Sequence, residues 1–178
     1  MDRRQFLKLG VTGGALLTMS AWMSKGTFWG TGTHLARRGN YQYQFLTEAD
    51  HEVVSALIPA ILAGTAAARD KELAEEVVRG VDIAASHFRP AIQKEIRQLF
   101  TVLTLPATRV LACGVWSGWS QADPARVEGF LASWRNSRMA LLRSGYDALQ
   151  QLTVASWYGN PKSWSGLGYE GPPPLANA

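Results

Sequence analysis

The side chains able to do chemistry are few and poorly grouped. The three histidines are His34 in a Gly/Thr-rich stretch, His51 in the first turn of an expected helix and His87 at a helix end. None stands at metal-ligand spacing from another, no His-Glu-x-x-His occurs, and Asp50-His51-Glu52 sends its neighbours to different helix faces, so all three read as helix-end charges. Gly13-Gly14 and Gly166-Leu167-Gly168 lack the strand-then-helix context of a phosphate cradle. Neither Ser-x-x-Lys nor Gly-x-Ser-x-Gly is present, and most carboxylates fall on outward helical faces, as solvated charges do. The single cysteine, Cys113, lies between Leu111-Ala112 and Gly114-Val115 and reads first as a small buried hydrophobe. Two other readings stay open: an intersubunit disulfide in an oxidising compartment, and a reactive thiol, for which no cationic neighbour argues. One cysteine builds no internal disulfide framework, no covalent haem attachment and no iron–sulfur or zinc cluster. The residues therefore point to no catalytic centre, no metal and no cofactor held by this chain.

The elements that position these side chains are expected to be helical. With 178 residues, 47% hydrophobic and 18% charged, the chain is one domain plus appendages, too apolar for disorder. No apolar run of about 18 residues marks it as polytopic. Thr47-Glu48-Ala49-Asp50 opens a helix with Thr47 as N-cap and Leu46 as staple, and Val53, Val54, Leu57, Ile58, Ile61 and Leu62 form its stripe. Pro59 should kink or end it, and Gly64 lies past the stop. A second helix over Asp70–His87 turns Leu73, Val77 and Val81 inward and Lys71, Glu75, Glu76, Arg79 and Asp82 outward. Pro90 begins a third, with Ile92, Ile96, Leu99, Phe100 and Leu103 inward; Pro106 begins a short fourth reaching Val115. Asp123-Pro124 starts a helix carrying Val127, Phe130, Leu131 and Trp134, and a last one runs from near Met139 to Trp157. No alternating strand pattern persists at useful length. The expectation is an all-α class, a compact bundle of five or six helices over residues 41–158, with an extended Pro/Gly/aromatic C-terminal tail over 159–178.

The N-terminus carries most of the excess charge. The net +4 rests largely on Arg3, Arg4, Lys8 and Lys25 against Asp2, and no later basic run exceeds Arg37-Arg38, so nucleic acid is not an expected partner. Arg3-Arg4-Gln5-Phe6-Leu7-Lys8, followed by an apolar segment diluted by Gly10, Gly13 and Gly14, resembles a twin-arginine export signal. Paired guanidiniums present two fixed charged forks to a receptor, with Phe6 and Leu7 as apolar contacts beside them. Residues 1–25 are thus a signal or an inner-membrane anchor, with no clean cleavage site, and residues 26–40 a flexible linker. Export by this route places the protein in the periplasm, already folded.

The closing segment is the most particular. Trp157-Tyr158-x-x-Pro161-x-x-Trp164-x-x-Leu167-Gly168-Tyr169-x-Gly171-Pro172-Pro173, with the leader, Phe45-Leu46-Thr47-Glu48 and Trp134-x-x-Ser137, resembles the small subunit (subunit 3, or gamma) of membrane-bound, FAD-dependent gluconate 2-dehydrogenase-like sugar and alcohol dehydrogenases. The resemblance implies a noncatalytic accessory chain. Its partners would be a flavoprotein large subunit that holds FAD, a multihaem cytochrome c subunit and the twin-arginine translocase, in a membrane-associated complex. Arg3, Arg4, Phe6 and Leu7 would then be the export-signal contacts, and Trp164, Leu167, Tyr169, Pro172 and Pro173 the docking residues for the large subunit. The competing expectation is a stand-alone periplasmic helical protein, either a ligand binder or an unrecognised enzyme.

Overall fold

The computed structural model describes residues 35–171. His34, the export-signal residues Arg3, Arg4, Phe6 and Leu7, and the docking candidates Pro172 and Pro173 lie outside them. Two strands come first, β1 (Leu35–Arg38) and β2 (Tyr41–Thr47). Seven helices follow among the described residues: α1 (Glu48–Ile61), α2 (Lys71–His87), α3 (Pro90–Thr104), α4 (Pro106–Thr108), α5 (Pro124–Arg135), α6 (Ala140–Tyr158) and α7 (Pro161–Trp164). The class is mostly helical, as the periodicity predicts, but with a small antiparallel hairpin that the all-α expectation lacked.

That hairpin corrects two readings. Leu35–Arg38 falls within the stretch read as linker, yet Ala36 is fully buried, and Arg38 stands opposite Tyr41 across a two-residue Gly39-Asn40 loop. Gly39 takes φ +56°, the positive value that a primed hairpin turn requires at its first central position. Tyr43 and Phe45 point into the core while Gln42 and Gln44 face water, so the Tyr-x-Tyr-x-Phe alternation is a strand signal after all.

Local capping chemistry sets the helix starts. Thr47 Oγ1 accepts from the Asp50 amide and Asp50 Oδ2 accepts from the Thr47 amide, a reciprocal capping box. Asp70 caps α2 through the amides of Glu72 and Leu73, and Asp123 caps α5 through that of Ala125. Pro90, Pro106, Pro124 and Pro161 each occupy a first helical turn, where no amide donor is needed. α1 ends two residues beyond Pro59, and Gly64 at φ +87° redirects the chain. The segment expected to be a short fourth helix is α4 followed by a π turn, Arg109–Cys113, closed by Gly114.

Leu57 and Ile58 of α1, Val77 and Val81 of α2, Phe100 and Leu103 of α3, Phe130 and Trp134 of α5, and Trp157 of α6 meet in one core. α2 and α6 approach so closely that a Cβ on Gly80 would lie 2.9 Å from Ser156 Cβ. Ile92, read as inward on α3, is exposed instead. No helix of the described residues is long and apolar enough to cross a membrane.

Candidate functional site

The C-terminal segment is folded through Gly171 and is not the extended tail its glycines and prolines suggest. Asn160 caps α7 through the Lys162 amide, a 3-10 turn covers Ser165–Leu167, and Gly168 turns the chain at φ +66°. Trp164 organises the segment: its indole N–H donates to the Tyr158 carbonyl at 3.1 Å, and its ring meets Tyr169 edge-on at 5.4 Å. A Cβ on Gly171 would lie 3.0 Å from the Trp164 ring, so only glycine closes over it. Half-buried Trp164 is therefore the centre of a local cluster, with part of its ring still reaching water. Leu167 and Tyr169 remain outward, 59% and 49% exposed.

The segment is bolted to the bundle by polar contacts from α2. Glu76 accepts from Lys162 Nζ at 2.5 Å and from the Asn160 side-chain Nδ2 at 2.8 Å, across more than eighty residues of sequence. The Lys162 bond, and then that of Asn160, holds the Glu76 carboxyl below the usual range. Lys162 is raised in return by its bond to Glu76.

Around the hairpin, side chains read as solvated charges are buried. Asp82, assigned to the outer face of α2, is fully buried and accepts from the amides of Gln44, Phe45 and Leu46 at 2.8–2.9 Å and from Tyr41 Oη at 3.1 Å. Burial, then the Asp82 charge and hydrogen bond, push the Tyr41 phenol up to about 12. Asp50 receives Arg97 Nη1 at 2.6 Å, while the other arm of that guanidinium donates to the Phe45 carbonyl and its Cζ lies 4.1 Å from the Phe45 ring centre. His51 is likewise no helix-end charge: it is buried, with Nε2 2.8 Å from Glu75 Oε2, while Tyr43 Oη donates to Glu75 Oε1 at 2.5 Å. Burial and the Glu75 bond raise the Tyr43 phenol strongly.

Two open cavities flank this network. One, of about 540 Å³, is lined by Arg38, Asn40, Tyr41, Glu75 and Arg79; the other, of about 450 Å³, includes His51, Ser55, Trp119 and Val127. Ser55 Oγ lies 3.4 Å from His51 Nδ1, so Ser55, His51 and Glu75 form a hydrogen-bonded series in the order a nucleophilic hydroxyl uses. Ser55, however, sits mid-helix in α1, whose amides are committed to the helix, so α1 itself supplies no free backbone donors for an oxyanion beside it. The series is better suited to fixing α1 against α2. Sequence reading missed it because only the His51–Ser55 spacing of four is local; Glu75 arrives from the next helix.

Cys113 is buried at the end of the π turn, and that burial pushes its thiol up to about 12, with Arg109 opposing weakly. The placement matches the small-hydrophobe reading; an intersubunit disulfide would require the turn to open. Trp119, half of the Trp116–Trp119 turn, is core, its indole donating to the Leu103 carbonyl at 2.7 Å. No group of three or more potential metal ligands gathers among the described residues. No family model, curated protein or solved structure matches the chain.

Proposed function

We propose that this chain is the noncatalytic small subunit of a periplasmic, flavin-dependent sugar or alcohol dehydrogenase complex, which carries the folded large subunit through the twin-arginine route and supports its assembly. The reading rests on the order of the C-terminal segment. A stretch rich in Gly and Pro holds a fixed shape around Trp164, is tied to α2 through Glu76, and still presents Leu167 and Tyr169 to water. A preordered apolar patch loses little entropy when a partner covers it, as suits an assembly platform. FAD would belong to the large subunit and haem c to a cytochrome subunit. This chain's own work would be to bind, with Arg3, Arg4, Phe6 and Leu7 addressing the shared cargo to the translocase.

The test is made in the host. Changing Arg3 and Arg4 together to Lys should strand flavin-dependent dehydrogenase activity in the cytoplasm, and Leu167→Asp with Tyr169→Asp should leave this chain exported but the flavoprotein behind. Normal periplasmic dehydrogenase levels in a strain lacking this chain would overturn the proposal. The second reading, a stand-alone ligand binder or enzyme, draws on the cavity beside His51 and Ser55. Turnover or small-molecule binding by the purified single chain, lost in His51→Ala, would favour it.

A further inference from the structure

The most exposed large apolar side chains of the described residues are not in the C-terminal segment. Leu111 is 86% exposed, Trp116 74% and Leu141 68%. They come from different elements, and Trp134 ties together the two that carry Leu111 and Leu141, the π turn and α6. Its indole N–H donates to the Ala112 carbonyl at 2.8 Å, which places the π turn carrying Leu111 against the end of α5. Its ring lies so close to α6 that a Cβ on Gly145 would stand 2.6 Å from Cζ3, and Leu141 is one helical turn before Gly145 on that side. Trp116 follows the π turn by three residues, beyond Gly114.

Basic side chains outnumber acids around this junction, where Asp147 lies one turn beyond Arg143 on α6. No Asp or Glu occurs in residues 105–122 or 129–146, whereas Arg135, Arg138 and Arg143 are all exposed there. Arg143 Nη1 donates to the Ser137 carbonyl at 2.7 Å, holding that guanidinium beside the α5–α6 connection. None of the three pairs with a carboxylate of the described residues, although Arg38, Arg97 and Lys162 do. Trp116 differs from its fellows in the same way: Trp119, Trp134 and Trp164 each give their indole N–H to a backbone carbonyl, and Trp116 to no described group.

We infer that this face of the described helical domain is a docking surface for an anionic phospholipid bilayer. Leu111, Trp116 and Leu141 would enter the interface, with the Trp116 indole at headgroup level, and Arg135, Arg138 and Arg143 would lie over lipid phosphates. The charge pattern favours a lipid surface over a protein partner: three exposed guanidiniums that pair with no carboxylate of the described residues suit a continuous sheet of anions, and each basic residue near such a sheet strengthens binding several-fold. The surface lies at the opposite end of α6 from Leu167 and Tyr169, about 28 Å along the helix axis, so membrane contact leaves the C-terminal patch open. This inference does not depend on the identity of any protein partner.

The experiment uses the full chain with vesicles of phosphatidylcholine alone or mixed with phosphatidylglycerol. Because the leader has its own arginines and apolar residues, total binding is insufficient. The decisive signal is quenching of Trp116 by brominated lipid, taken as the difference between the wild-type chain and Trp116→Phe. Expected are Trp116 quenching on the anionic vesicles alone, a decline with added salt, and weakening of about 100-fold in R135Q/R138Q/R143Q. Leu141→Asn, at a solvent-facing position that cannot disturb the core, should weaken binding as well. The proposal is overturned if Trp116 is not quenched, or if the triple variant and L141N bind as wild type. It is equally overturned if the lipid-free chain self-associates through this end, so that L141N lowers its mass; the face would then belong to a second copy.

Discussion

Replacing Asp82 by Ala tests whether the buried clasp between α2 and the hairpin is what fixes β2. The carboxylate serves three successive backbone amides and one phenol, and is fully buried. Each buried amide left without an acceptor costs about 1–3 kcal/mol. The vacated space partly admits water and the strand can shift, so we expect about 3–5 kcal/mol for Asp82→Ala rather than the full sum. That is a large share of the roughly 5–15 kcal/mol by which domains are stable. Asp82→Asn keeps one acceptor oxygen but turns an NH₂ toward a backbone N–H, so it should lose about 2–3 kcal/mol. Urea unfolding followed by tryptophan fluorescence reads both, as a midpoint shift with an unchanged slope. Hydrogen exchange at Gln44, Phe45 and Leu46 should quicken in the same variants. The reasoning is refuted if Asp82→Ala lies within about 1 kcal/mol of wild type, the range of an ordinary surface change.

Four further outcomes follow from packing and titration. Gly145→Ala should destabilise by about 1–2 kcal/mol, because overpacking against Trp134 outweighs a helix-propensity gain of at most about 1 kcal/mol. Gly129→Ala, where nothing lies within 4 Å of the new Cβ, should stabilise by about 0.5–1 kcal/mol, and urea midpoints compare the two. Cys113 should ignore Ellman's reagent at mildly alkaline pH until urea unfolds the chain; rapid native labelling would contradict its burial. Folding lowers the Glu76 pKa, so its tie to the C-terminal segment is complete above the ordinary carboxylate range and lost as pH falls through the lowered folded value. Lys162, raised, contributes below its ordinary range and loses the contribution as pH climbs through its raised value. The Trp164 fluorescence difference against Trp164→Phe should therefore change on acidification in the wild type, and already show the acid form at neutral pH in Glu76→Gln.

Helix starts were legible because capping is local: Thr47 with Asp50, Asp70 with Glu72, and Asp123 before Pro124 carry their own partners within three residues. Apolar stripes such as Val53, Val54, Leu57 and Ile58 found the core for the same reason. What escaped depends on distant chain. Asp82 looks like a solvated face charge until the amides of Gln44, Phe45 and Leu46 arrive from 36 to 38 residues away, and Asp50 until Arg97 does. β1 has four residues and only Ala36 buried, too short to show a period, although Tyr41, Tyr43 and Phe45 did alternate. The C-terminal fold was hidden because it is made by one ring, Trp164, collecting Tyr158, Tyr169 and Gly171, with no periodicity to read. Half of the Trp116–Trp119 turn became core and half stayed exposed, a division that hydrophobicity alone does not make.

The assembly role meets its most direct test in the native mass and absorption spectrum of the full chain, isolated by affinity from the membranes of its own host. The account predicts a complex of fixed stoichiometry, well above 19.5 kDa, that carries the absorption of flavin. A homogeneous 19.5 kDa species with no chromophore and no second polypeptide would contradict it.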